Sequence, residues 1–262
     1  MTSDKMIARK EGMIGRIIFN NPERHNAVSL EMWQSASAML ADFLADDEVR
    51  VIVLSGAGGK AFVSGADISK FDSERATHEA VLTYNAKTAE VYSGIHQAPK
   101  PTIALIQGHC IGGGLGLAVA CDLRFCTGRS KFGLPAAKLG LGYPYAGLKR
   151  LSDIVGPGFA KEITYTGAIY DATAAKEMRL VNRILPDDEL EEFVLEQART
   201  IAGNAPLTVR AMKNIYNNVY REPADRDLDI CQKMVDQCFA SEDYIEGRNA
   251  FMEKRRPEFK GR

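Results

Sequence analysis

Gly108-His-Cys-Ile-Gly-Gly-Gly-Leu-Gly-Leu-Ala-Val-Ala-Cys121 is the stretch on which the reading of this chain turns. An apolar run, Thr102–Ile106, enters it, three consecutive glycines follow, and a short helix-forming segment leaves it. The pattern predicts strand, tight turn, helix N-terminus. Glycines let a backbone approach a ligand closely, and the first N–H groups of a helix have no partner inside it, so together they can make an anion-binding end. A tight turn with close helix packing is the other reading of the same residues.

Towards the N-terminus, Thr77 to Ile95 is helical in pattern, with Val81, Tyr84, Thr88, Val91, Tyr92 and Ile95 as the inner side, and Pro99 and Pro101 end it. Earlier, Ile14-Gly-Arg-Ile-Ile-Phe19 reads as a first strand, followed by the polar loop Asn20-Asn-Pro-Glu-Arg-His-Asn-Ala27. Ser29 can cap a helix in which Leu30, Trp33, Ala36, Leu40, Phe43 and Leu44 recur at helical spacing, before a buried strand over 49–54. This rhythm predicts parallel strand pairing.

Two small-residue loops lie between these elements. Ser55-Gly-Ala-Gly-Gly-Lys60 fails as a phosphate loop, because Leu54 stands where the first glycine belongs and no Ser or Thr follows Lys60. Phe62-Val-Ser-Gly-Ala-Asp-Ile68 could expose the N–H groups of Gly65 and Ala66, with Asp67 as a local cap.

Towards the C-terminus, a strand over 122–126, a loop over 131–144, a helix from about Gly147 and a short strand over 181–185 are expected. Beyond Pro186 come helix signals at 187–202, 206–220, 223–240 and 241–255 and no convincing strand. Residues 1–195 therefore read as the core and 196–262 as a helical appendage. Helices with apolar faces and no sheet of their own often pack on another subunit, so an oligomer is expected.

At 262 residues, 45% hydrophobic and 26% charged, the chain can bury a sizeable core. A net charge of -1 gives no field for nucleic acid or membrane. The five cysteines, an odd number without paired C-x-x-C spacing, suggest neither a disulfide framework nor a zinc site, and no metal is expected. Cys231 and Cys238, seven apart, suit one core face of a helix. The first ten residues lack a signal-like apolar region, and Gln107, His109 and five glycines interrupt the longest apolar run, so a cytoplasmic protein is expected.

Ala61-Phe-Val-Ser-Gly-Ala-Asp-Ile68, Lys100-Pro-Thr-Ile-Ala-Leu-Ile-Gln-Gly-His-Cys-Ile-Gly-Gly-Gly114, Cys121-Asp-Leu-Arg124, Phe132-Gly-Leu-Pro135 and the ending Glu246-Gly-Arg-Asn-Ala-Phe-Met-Glu-Lys-Arg-Arg-Pro-Glu-Phe259 resemble the enoyl-CoA hydratase/isomerase (crotonase) family over nearly the whole chain. The resemblance implies an α/β fold, a spiral of β-β-α units with a helical C-terminal region that builds trimers or dimers of trimers. It implies a coenzyme A thioester as ligand and no further cofactor. The backbone N–H groups of Ala66 and Gly113 would form the family's oxyanion hole. Gly65, Asp67, Ile68, Gly112 and Pro135 would line the substrate. Arg24 and His25 would border the nucleotide end of coenzyme A, and Phe251 and Lys254 would reach a neighbouring subunit's ligand. His78 and His96 have no motif around them and read as structural; His109 lies near the site by sequence.

The resemblance also implies a departure. Hydratases of the family carry two glutamates where this chain has Gly116 and Ala136, and neither residue can hold a proton or orient water. Leu141-Gly-Tyr-Pro-Tyr-Ala-Gly-Leu148 and the segment beginning Ser241-Glu-Asp-Tyr244 resemble methylmalonyl-CoA decarboxylase, which implies an acyl-pocket role for Tyr145. That enzyme has a histidine at the Ala66 position and a glutamate at the Gly116 position. Three functions stay open: an enolate-stabilising enzyme with an atypical acid or base, either Tyr145 or an acid from segment 71–79; a decarboxylase of a malonyl-type CoA thioester; or a non-catalytic acyl-CoA-binding or assembly protein.

Overall fold

The computed structural model describes residues 3–70, 74 and 76–262. Of the candidate acids in segment 71–79, Asp72 lies outside the described residues, together with Phe71, Ser73 and Arg75.

Two sheets organise the chain. The larger takes strands in chain order: β1 (Met6–Glu11), β2 (Ile14–Phe19), β3 (Val51–Gly56), β5 (Thr102–Ile106), β7 (Leu123–Thr127) and β10 (Arg183–Leu185). After the antiparallel β1–β2 hairpin every neighbour is parallel. The smaller sheet holds β4 (Ala61–Val63), β6 (His109–Ile111), β8 (Lys131–Gly133) and β9 (Ile169–Asp171), with only the last pair antiparallel.

Three successive passes thus run β3–β4, β5–β6 and β7–β8, each placing one strand in each sheet. They lead into helices α2 (His78–Gln97), α3 (Gly113–Ala120) and, through a 3-10 turn at Pro135–Leu139, α4 (Tyr145–Thr166). This is the spiral of β-β-α units expected above. Met6–Glu11 precedes the strand expected to be first, β4, β6 and β8 occupy stretches that read as turns or loop, and β9 falls in the stretch that read as helical up to 181. In particular, the turn after Ile106 contains β6.

Apolar alternation explains why β3 and β5 are continuous hydrophobic runs. Ile52, Leu54, Ala104 and Ile106 join Trp33, Met32 and Leu40 of α1 (Leu30–Ala45) in one cluster. Val51, Val53, Ile103 and Leu105 face the other way, against Leu190, Val194, Ala198 and Ala202 of α6 (Leu190–Ala202), which follows α5 (Ala172–Glu177). Both faces are covered, as parallel sheets require. Each large aliphatic side chain so buried contributes about 1.5–3 kcal/mol. Because α6 covers the sheet, a boundary between 195 and 196 would cut through a helix of the core; the helical layer begins after it.

That layer consists of α7 (Pro206–Val219), α8 (Leu228–Phe239) and α9 (Glu242–Glu253). The helix expected over 223–240 is a 3-10 turn at Pro223–Asp225 and then α8, because the Asp227 carboxylate caps the N–H of Ile230 at 2.8 Å. No residue of α8 is buried, and Cys231 and Cys238 are half-buried rather than on a core face. The reason is that α8 rests on α7 and α9 and has no sheet beneath it. Among the described residues no helix is long and apolar enough to cross a membrane.

α7 is fastened to the sheet through a buried ammonium. Lys213 Nζ donates to the Lys100 carbonyl at 3.0 Å and to Asp122 Oδ2 at 2.8 Å. The same carboxylate oxygen accepts the N–H and hydroxyl of Thr102 at 2.7 and 2.9 Å. Asp122→Ala would strand Lys213, which is 7% exposed, with only a carbonyl. The expected loss is about 3 kcal/mol, at the low end for an orphaned buried charge because Asp122 itself keeps contact with water. It should read as a lower urea midpoint at unchanged slope.

Candidate functional site

Gly113 is the first residue of α3, and the peptide Gly65–Ala66 lies beside it. The Gly113 nitrogen is 4.0 Å from where a Cβ on Gly65 would sit, and the Gly65 carbonyl carbon is 3.9 Å from where one on Gly113 would sit. Gly65 has φ +118° and Gly112, the residue before the helix, has φ +56°, conformations that side chains strongly disfavour. Gly114 is needed for a different reason: a Cβ there would stand 1.9 Å from the Val63 carbonyl oxygen, so only glycine lets α3 start against β4. Among the described residues neither the Ala66 nor the Gly113 N–H donates to a protein acceptor. Two unpaired donors at a helix N-terminus suit an oxygen that gains negative charge.

Both donors are braced from behind by one helix. Tyr84 of α2 accepts a hydrogen bond from Trp33 Nε1 at 2.9 Å and donates to the Val28 carbonyl at 3.1 Å. Val28 in turn donates to the Gly65 carbonyl at 2.9 Å and accepts from the Asp67 N–H at 3.0 Å, clamping Ala66 between them. Two turns further along α2, Tyr92 donates to the Gly113 carbonyl at 2.7 Å and meets Trp33 edge to face at 5.5 Å. Burial pushes the Tyr92 phenol well above its ordinary range, so it remains a donor.

One turn along α3, a Cβ on Gly116 would meet Tyr143 Oη at 2.8 Å and the Tyr92 ring at 3.0 Å. Gly147 makes room for the same side chain, since a Cβ there would stand 2.5 Å from Tyr143 Cε1. Tyr143 is packed on the main core, yet among the described residues its hydroxyl has no hydrogen-bond partner. Burial pushes its phenol up to about 12, while Arg150 pulls the other way. The Arg150 guanidinium donates to Ser93 Oγ at 3.2 Å.

The loop before α1 joins the site through backbone bonds: Ser64 N–H donates to the His25 carbonyl at 3.1 Å. Arg24 Nη1 donates to Ser69 Oγ at 2.7 Å and lies 3.6 Å from Asp67 Oδ1. The buried Asp67 accepts the N–H and hydroxyl of Ser69, the local cap expected of it. His25 packs edge to face on His109 at 5.6 Å. Beneath them the fully buried Asn26 donates to the carbonyls of Ala57 and Ala61 at 2.9 and 2.7 Å, and its oxygen accepts from Asn21 N at 2.9 Å. Among the described residues no three His, Cys, Asp or Glu side chains are grouped to hold a metal.

The family profile described as enoyl-CoA hydratase/isomerase matches residues 9–262. The chain belongs to this family. The short-chain-enoyl-CoA hydratase of Clostridium acetobutylicum is 33% identical over 263 residues, 100% of each chain. Among solved structures, an enoyl-CoA hydratase/isomerase family protein from Hyphomonas neptunium superposes with a TM-score of 0.93 at 35% identity over 98% of each chain. An enoyl-CoA hydratase/carnithine racemase from Magnetospirillum magneticum does so at 0.91 and 36% identity, over 99% of this chain and 97% of that one.

Within this enoyl-CoA hydratase/isomerase chain the structure gathers Arg24, His25, Gly65, Ala66, Asp67, Gly112, Gly113 and Gly116. Ile68 follows in an exposed 3-10 turn, Ile68–Lys70. Pro135 and Ala136 open the turn before α4, Ala136 packing on the main core. Phe251 and Lys254 do not join the site within one chain: Phe251, 83% exposed, lines an apolar cleft of about 750 Å³ between α7, α8 and α9, and Lys254 ends α9. Tyr145 lies nearby in sequence but not in the slot beside Gly116. It is 73% exposed at the start of α4, two residues after Tyr143, whose hydroxyl lies against Gly116. The Leu-Gly-Tyr-Pro-Tyr motif holds both tyrosines, and no local pattern in the sequence separates them.

Proposed function

We propose that the chain is an acyl-CoA enzyme of the lyase or isomerase kind that holds a thioester carbonyl between the Ala66 and Gly113 N–H groups while the oxygen gains enolate charge. The observation that carries this is the adjacent, unpaired pair of backbone donors at the head of α3. Membership in a family whose relatives are named for enoyl-CoA and crotonyl-CoA hydration gives the substrate class. Gly65, Gly112 and Pro135 would border the thioester, Arg24 and His25 the nucleotide. No further cofactor is needed for this chemistry. The exposed apolar residues of α8 and α9 support association of three chains, or two such trimers, through the helical layer, with Phe251 and Lys254 turned to a neighbour. A cytoplasmic location fits the substrate class.

A second reading is favoured at one point. The atoms nearest a Cβ at position 116 belong to Tyr143 and Tyr92, and residue 136 is alanine, so neither position supplies the carboxylate that the family resemblance implies for a hydratase. Decarboxylation of a malonyl-type thioester reaches the same enolate without activating water. A panel of enoyl-CoA, acyl-CoA and 2-carboxyacyl-CoA thioesters decides the matter. Turnover of any is expected, release of carbon dioxide from methylmalonyl-CoA supports the second reading, and hydration of crotonyl-CoA above the buffer rate removes it. Calorimetric binding without turnover of any would replace both with the non-catalytic function.

A further inference from the structure

Two glycines on different helices, Gly116 and Gly147, carve one slot for one tyrosine. Alanine at either position would drive its Cβ to 2.8 Å from Tyr143 Oη or 2.5 Å from Tyr143 Cε1. The buried Tyr84 and Tyr92 bond their hydroxyls to backbone carbonyls, whereas Tyr143 is half-buried and its hydroxyl is open to whatever fills the site. The Tyr143 hydroxyl instead has no partner among the described residues. It stands beside Gly116, and Gly116 is three residues, about 4.5 Å of helix rise, from the unpaired Gly113 N–H.

We propose that Tyr143 Oη is the proton donor to the α-carbon of the enolate held at Gly113. This rests on the thioester-enolate reading above. In the step, the Tyr143 O–H bond breaks and its proton forms a C–H bond with the enolate's electron pair. The carbonyl of the thioester is restored, and the phenolate regains a proton from water. Burial keeps the phenol protonated near neutral pH, which makes it an acid rather than a base. The substrates it suits are those that reach an enolate by losing something other than a proton. A 2-carboxyacyl thioester does so: the bond to its carboxylate breaks, carbon dioxide leaves, and the electron pair remains on the α-carbon.

The test runs methylmalonyl-CoA with wild-type protein, Tyr143→Phe and Gly116→Ala in deuterium oxide, and reads the configuration of the deuterated α-carbon in propionyl-CoA. Delivery from Tyr143 gives one enantiomer with wild type, and a product approaching racemic with both variants. A single enantiomer from folded Tyr143→Phe overturns the proposal, as does the absence of carbon dioxide release by wild type. A structural role for the ring would leave the configuration unchanged, because phenylalanine keeps it. Binding of butyryl-CoA judges the underlying reading separately. Binding that weakens about tenfold in Gly113→Pro, the loss of one net hydrogen bond, upholds that reading even if the proton donor is wrong. Equal binding by wild type and Gly113→Pro overturns both.

Discussion

Gly113→Pro is expected to lower kcat/KM for the preferred CoA thioester about 10²–10³-fold, equivalent to about 2.7–4 kcal/mol of transition-state stabilisation. Proline deletes the N–H, and Gly113 is the first residue of α3, the helical position that tolerates proline best. The substitution is therefore a chemical deletion more than a structural one. Its ring does add bulk: a Cβ at 113 would stand 3.2 Å from Tyr92 Oη and 3.7 Å from Trp33 Cζ2. Gly113→Ala adds the same Cβ and keeps the N–H, so the ratio between the two variants isolates the donor. Steady-state kinetics on both, with thermal melts to confirm folding, make the measurement; equal activities would end the case for an oxyanion-binding N–H at this position.

Gly116→Glu, which places a glutamate where the family resemblance would put the first hydratase carboxylate, is expected to destabilise the protein by about 3 kcal/mol or more and to produce no hydratase. The new Cβ meets Tyr143 Oη at 2.8 Å and Tyr92 ring carbons at 3.0 Å. Overpacking alone costs about 1–3 kcal/mol, and a carboxylate confined between two phenols adds its own desolvation. The partner change is Tyr143→Ala, which empties the slot. In a double-mutant cycle by urea unfolding, Gly116→Glu should cost at least 1 kcal/mol less in the Tyr143→Ala background, a coupling expected of residues in contact. Additive losses would mean that the tyrosine and residue 116 do not compete for one space.

The large sheet was legible because its inner strands are apolar runs of five or six residues between turn signals; Ile14–Phe19 and Thr102–Ile106 were found at their true ends. The small sheet was not. Ala61–Val63, His109–Ile111, Lys131–Gly133 and Ile169–Asp171 are three residues each, too short for a period of two to register, and glycines or small loops border most of them. The loops that carry residues 66 and 113 were legible as turns because glycines mark both. Tyr143 was not, since its burial depends on absent side chains at 116 and 147, which only the folded chain brings to opposite sides of one ring. Asn26 was also hidden. Its amide spans carbonyls more than thirty residues away, and nothing local announces that.

The bracing of both donors by α2 has a mechanical consequence. Tyr84 and Tyr92 are eight residues apart on one helix, about 12 Å along its axis, and each ends in a hydrogen bond that bears on one of the two N–H groups. A helix is stiff along its axis, so sliding α2 carries both anchors the same way and leaves the gap between the donors unchanged. The helix therefore behaves as a gauge bar: one rigid element, rather than two separate loops, carries the anchors that bear on both N–H groups.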